Sequence, residues 1–341
     1  MFPEETPHLL RYVLAGRLNR DYILPVSGPP QIDVLGGNLC YAAVGLKFWG
    51  ESAGLIARVS QDYPLEWLDP LEVAGFDTAG IKTSPEPLDD RRFMAHTDAK
   101  TTHYKNPVQH FADRKLTFPT SLLGYQPHQF SEQNGSKSAK PLLQITDIPK
   151  FYLDATALHI CPIDFASHMN LPSLFRQGQA TTITIASDPG YMSPTFWQEI
   201  PSMLSEITAF ITTESEIRSL FQGRQTELWE MAAVLADYGA EFILIHTEDK
   251  GIYCYDRAAG KRWAVPQYQA NVVNPTGAYD AFAGGFLVGY RETYDPLEAT
   301  LMGNVAASFV VEGNDPFYAL DAMPRLVELR QTALRDLIQE H

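Results

Sequence analysis

Asn274-Pro275-Thr276-Gly277-Ala278-Tyr279-Asp280, continuing into Ala281-Phe282-Ala283-Gly284-Gly285-Phe286, reads as a turn that opens directly into a helix. Pro275 cannot donate a backbone hydrogen bond, and Gly277 leaves space for the backbone to approach a ligand. Beyond the turn, Phe282, Phe286, Leu287 and Tyr290 recur at helical spacing. A helix that starts this way presents unpaired N–H groups and a partial positive charge, an arrangement that holds an anion such as phosphate. Asp280 falls in the first turn, within reach of the same anion. A carboxylate there repels phosphate unless it has a chemical role, and taking the proton of an attacking hydroxyl is such a role. Taken alone, the stretch fits equally a glycine turn capping an ordinary core helix.

The stretch resembles the second signature of the ribokinase-like (PfkB) carbohydrate kinases, D-T-x-G-A-G-D followed by a helix carrying a G-G-F-like pair. Gly277, Ala278 and Asp280 match; Asn274 stands where the family usually has Asp, and Tyr279 where it has Gly. The resemblance implies that the amides of Gly277, Ala278 and Tyr279 form an anion hole for the transferred phosphoryl group. It further implies that Asp280 is the catalytic base and that Asn274 lies with the nucleotide. Asp33-Val34-Leu35-Gly36-Gly37-Asn38, ahead of an apolar helix from Leu39 to Phe48 and a strand at 55–59, is similar to the first signature. There Gly36 and Gly37 would let an acceptor sugar lie against the backbone, and Tyr41 replaces a sugar-contacting Asn. Asp21, closing the opening strand, is implied as a further acceptor contact. Glu216 in Thr213-Glu214-Ser215-Glu216 resembles the Glu of N-x-x-E, which organises magnesium and phosphate through water. Thr247 and Gly251, in the loop after the strand 242–245, and Asn304 on the helix 297–310 resemble positions beside the nucleotide. These matches run in family order from residue 12 to 313.

Composition is compatible with this reading. At 341 residues and 45% hydrophobic, the chain suits one large α/β unit over 1–341. A net charge of −15 argues against a nucleic-acid partner, since no basic excess exists to neutralise phosphates. No apolar run approaches the roughly 20 residues of a membrane span, and the acidic Met1–Glu5 start predicts no secretory leader. Cys40, Cys161 and Cys254 are isolated and odd in number, which fits reduced thiols and a cytoplasmic location and makes the sequon-like Asn134-Gly135-Ser136 irrelevant.

Short apolar runs at 158–160, 182–186, 207–211 and 242–245 alternate with helical patterns such as Leu228, Met231, Ala232 and Leu235. That alternation predicts a mainly parallel sheet covered by helices on both faces, with ligands beyond the carboxyl ends of the strands. Relatives carry a small protruding β-sheet lid over the sugar, here expected at about 17–35 and 90–118. Residues 119–150, rich in Pro, Ser, Gln and Lys, read as an irregular insertion. His96, His103 and His110 recur every seven residues, but on an extended strand neighbours would alternate faces, which disfavours a shared metal. Glu312-Gly313-Asn314-Asp315 reads as a solvated helix cap, although relatives place a monovalent-cation loop nearby. No Walker, G-x-G-x-x-G, H-E-x-x-H or G-x-S-x-G motif occurs.

The expectation is a magnesium- and ATP-dependent kinase acting on a hydroxyl of a sugar or nucleoside. The departures at Asn274, Tyr279 and Thr213 leave a second reading, a kinase-fold sensor that binds a nucleotide or sugar without turnover. Dependence on a monovalent cation, and a homodimer through an exposed edge of the lid, stay open.

Overall fold

The computed structural model describes residues 10–127 and 140–341. Met1–Glu5 and the 134–136 sequon lie outside the described residues, as does the middle of the expected insertion. Among the described residues, fourteen strands form two sheets. They are β1 (Tyr12–Ala15), β2 (Asn19–Leu24), β3 (Gln31–Gly36), β4 (Ala53–Val59), β5 (Asp77–Thr83), β6 (Arg91–His96), β7 (Thr102–His103), β8 (Ala157–Ile160), β9 (Thr182–Ala186), β10 (Ala209–Thr213), β11 (Phe242–His246), β12 (Ile252–Asp256), β13 (Lys261–Val265) and β14 (Gln339–Glu340). The large sheet runs β14-β13-β12-β11-β10-β9-β8-β1-β4-β5, parallel from β11 to β5 and antiparallel from β11 to β14. Its inner strands are short, rich in β-branched residues and buried along both faces, as a helix-covered parallel sheet requires.

The small sheet runs β3-β2-β6-β7 and is mixed, because β2 and β6 are parallel. It occupies the region expected for the lid. The stretch after β7 is not strand throughout, however: Pro107–Asp113 is a helix that begins on a proline.

Three helices carry the site. Asn38–Lys47, Ala278–Thr293 and Pro296–Val310 pack with backbones nearly touching. A methyl group on Gly45 would fall 2.0 Å from the carbonyl oxygen of Ala281, and one on Gly284 would fall 2.0 Å from that of Ala42. The Gly284-Gly285 pair therefore serves helix packing, Gly285 facing Gly303 on the returning helix. This close contact fixes the start of the Ala278–Thr293 helix against the rest of the fold.

Candidate active site

At the turn, Gly277 takes the left-handed conformation with φ 79° and caps the helix. Asn274 folds the approach, its side-chain oxygen accepting from the amide of Thr276 at 3.1 Å. The amides of Gly277, Tyr279 and Asp280 make no hydrogen bond to described residues, whereas that of Ala278 reaches the Pro275 carbonyl at 3.3 Å. Donors left open at the N-terminus of a 16-residue helix suit an anion. Tyr279 is helical and free of backbone strain. Its hydroxyl donates to the carbonyl of Ile211 at 2.8 Å, and its ring meets His246 edge-on, so the side chain leans onto the ends of β10 and β11.

Asp280 is buried, and its carboxylate accepts no hydrogen bond from any described residue. Loss of solvent pushes its pKa up to about 7, opposed by the nearby Arg92 guanidinium and reinforced by Asp21. Arg92 was not legible as a site residue. It donates from Nε and Nη2 to the two oxygens of fully buried Asp21, at 2.9 and 2.6 Å. Gly36 makes room for this pair, since a methyl group there would come within 1.9 Å of an Asp21 oxygen. Gly37, at φ 100°, points its amide at the same oxygen at 3.4 Å. The ring of Tyr41 lies on Gly277, and burial pushes its hydroxyl pKa well up.

His96, also missed, ties β6 to the turn. Its Nε2 is hydrogen-bonded to the Thr276 hydroxyl at 2.7 Å and its Nδ1 to that of Thr102 at 2.9 Å, with burial pushing its pKa down to about 4. His103 and His110 stack on each other instead, and no three His, Cys, Asp or Glu side chains gather to hold a metal among the described residues.

Of the residues expected near the nucleotide, Asn274 is in the turn itself, and Glu216, Thr247, Gly251 and Asn304 follow β10 and β11 or lie on the Pro296–Val310 helix. Glu216 closes a capping box, its Oε2 accepting from the amide and hydroxyl of Thr213 and the hydroxyl of Ser187 at 2.8–3.0 Å. Burial raises its pKa, with those bonds opposing. Thr247 donates its hydroxyl to the carbonyl of Gly251, closing the loop between β11 and β12. Asn304 donates to the carbonyl of Pro266 at 2.8 Å. Gly251 and Pro266 border a cavity of about 560 Å³. A cavity of about 990 Å³ opens beyond β1, β4 and β8 on the small-sheet side, lined by Arg17, Ser60, Asp90 and Asp164. Asp280 lines neither cavity. Glu312, read from sequence as part of a solvated cap, instead pairs with buried Arg330 at 2.7 Å.

A family model described as pfkB family carbohydrate kinase matches residues 144–320. A cytidine kinase of Thermococcus kodakarensis is 26% identical over 287 residues, covering 83% of this chain and 89% of that protein. A 5-dehydro-2-deoxygluconokinase of Geobacillus kaustophilus is 24% identical over 345 residues, covering 97% and 95%. Among solved structures, ribokinase of Thermotoga maritima superposes with a TM-score of 0.65 at 17% identity, over 95% of this chain and 99% of that one. A protein of E. coli described as a ribokinase II, solved with ATP and Mg2+, gives 0.66 at 16% identity over 95% and 100%. The large, mainly parallel sheet with its small companion is thus the ribokinase-like fold.

Proposed function

Because the chain belongs to the pfkB family of carbohydrate kinases, we propose that it moves the γ-phosphoryl group of ATP to a hydroxyl of a sugar or nucleoside, with Asp280 as the general base. The observation that carries this reading is a buried carboxylate with no hydrogen-bond partner among the described residues, in the first turn of a helix where the amides of Gly277, Tyr279 and Asp280 are open. A pKa of about 7 lets Asp280 take a proton near neutrality and return it afterwards.

In this reading Asp280 accepts the acceptor's hydroxyl proton as its oxygen attacks phosphorus in line with the leaving β-phosphate oxygen. The amides of Gly277, Tyr279 and Asp280 take up charge on the transferring oxygens, already oriented by the capped turn and by Thr276 bound to His96. Magnesium, when bound, would offset charge between the β- and γ-phosphates. Glu216 suits it only at a distance, since its Oε2 is engaged in the cap and only Oε1 has no hydrogen-bond partner among the described residues. The two relatives above, one named a cytidine kinase and one a 5-dehydro-2-deoxygluconokinase, support the acceptor class we propose.

Incubation with Mg-ATP and pooled sugars, sugar acids and nucleosides tests the reading. ADP release that requires an acceptor supports it. Binding of ATP with no release from any pool would favour the sensor.

A further inference from the structure

Residues 266–277 run from β13 to the anion turn without regular secondary structure, yet they are held along much of their length. On one side the amides of Val26 and Ser27 donate to the Val273 carbonyl at 3.0 and 3.2 Å. Further anchors gather around the C-terminal end of the Pro296–Val310 helix. Asn304 holds Pro266 and Tyr268, and Glu312 Oε1 accepts from the Asn271 amide at 3.3 Å. The Val311 carbonyl accepts from the amides of Val273 and Asn274 at 2.8 and 3.0 Å. Asn274 then folds the turn itself.

That end of the helix concentrates negative charge. Its last carbonyls form the negative pole of the helix dipole, and the Glu312 carboxylate follows just past Val310. Arg330, buried on the Pro324–Arg335 helix, offsets both. Its Nη1 donates to the Ser308 carbonyl at 3.1 Å and hydroxyl at 3.0 Å, and its Nη2 donates to Glu312 Oε2 at 2.7 Å. The guanidinium also lies over the rings of Phe309 and Tyr268, with centroids 3.8 and 4.6 Å away. One side chain thus touches the helix end, the carboxylate that holds Asn271, and the connection itself at Tyr268.

We propose that Arg330 is a positioning residue for phosphoryl transfer: by compensating Glu312 and the helix end, it fixes the connection 266–274 and so the aim of the open amides of Gly277, Tyr279 and Asp280. The proposal rests on the kinase reading above and gives the Pro324–Arg335 helix a part in it. Removing only the cation leaves a carboxylate facing carbonyl oxygens, which drives Glu312 out of place and releases Asn271. Removing the carboxylate charge as well takes away that drive.

The two charges supply the test. Turnover and the backbone amide NMR signals of Gly277 and Tyr279 would be measured in wild type, Arg330→Met, Glu312→Gln and the double variant. Arg330→Met should lower kcat about tenfold or more by misplacing the turn. KM for the acceptor should stay within about twofold of wild type, because the residues implied for the acceptor lie on β2, β3 and the Asn38–Lys47 helix. The Gly277 and Tyr279 signals of Arg330→Met should move. In the double variant the signals and kcat should both return towards wild type, the second substitution repairing the first. Loss of packing alone would make the double variant worse than Arg330→Met. Unmoved amide signals, or a double variant no better than Arg330→Met, overturns the proposal. If Arg330→Met does not fold, Arg330→Lys decides by the same signals, since an ammonium cannot reproduce the fork between Ser308 and Glu312. Signals that move support the proposal, and signals that keep their wild-type positions overturn it. The kinase reading fails separately, if no pooled acceptor elicits ADP release from wild type while the signals move as expected.

Discussion

Gly277→Ala is the most demanding test of how the anion turn is built. Two penalties are legible. The backbone at 277 sits at φ 79°, where a side chain costs about 1–2 kcal/mol. The added methyl would also fall 2.0 Å from Cγ of Tyr41, an overlap that forces the ring or the turn to move, and overpacking of this kind costs about 1–3 kcal/mol. Together they amount to about 2–5 kcal/mol, read from urea unfolding followed by circular dichroism. Tyr41→Ala deletes the overlap while leaving the backbone conformation in place. In that background the cost of Gly277→Ala should fall to the backbone share alone, a coupling of about 1–3 kcal/mol between the two sites. Any displacement of the turn carries the open amides with it, so turnover in the single variant should drop by about tenfold to a hundredfold. Equal costs in both backgrounds would refute the packing of Tyr41 on Gly277 and with it this account of the turn.

Asp280 should also weaken the fold. Its folded pKa of about 7 lies above the ordinary 3.8, so the folded state holds the proton more tightly than the unfolded one. Stability should then fall as pH rises from about 4 to about 7 and level off above, by up to roughly 4 kcal/mol. Asp280→Asn should be more stable than wild type at pH 8 and nearly equal to it at pH 4, in parallel denaturation curves; a constant difference would contradict the raised pKa. At Glu216, Gln retains an acceptor oxygen for the Thr213 cap while Ala does not. Glu216→Gln should therefore keep wild-type stability but need more magnesium for half-maximal velocity, whereas Glu216→Ala should also lose about 1 kcal/mol. An unchanged magnesium requirement in both would remove Glu216 from the metal's surroundings.

The turn at 274–280 was legible because its chemistry is local: a proline, a positive-φ glycine and the start of a helix sit within seven residues. The strands β8 to β11 were legible for the same reason, as short apolar runs between amphipathic helices. What escaped depends on contacts distant in sequence. Arg91 and Arg92 stand side by side in the sequence, and Arg91 pairs locally with Asp89. Arg92 is distinguished only by the register that sets it opposite Asp21, 71 positions earlier. His96 reaches Thr276 across 180 positions, which no periodicity encodes. Tyr279, a departure from the family pattern, is accommodated because a helical backbone lets its side chain reach the Ile211 carbonyl. The helix at 107–113 was hidden by the alternating polar residues around it. Gly36, read as space for a ligand, is space for the Asp21 carboxylate.

The central claim is that Asp280 takes the acceptor's proton, and single-turnover ADP formation by Asp280→Asn measures it most directly. With a responsive acceptor and saturating Mg-ATP, the variant should bind ATP within about twofold of wild type and form ADP at least about a hundredfold more slowly. Asn keeps the size of the side chain and removes its charge together with its capacity to accept a proton. A variant that binds ATP and forms ADP at close to the wild-type rate would contradict the account.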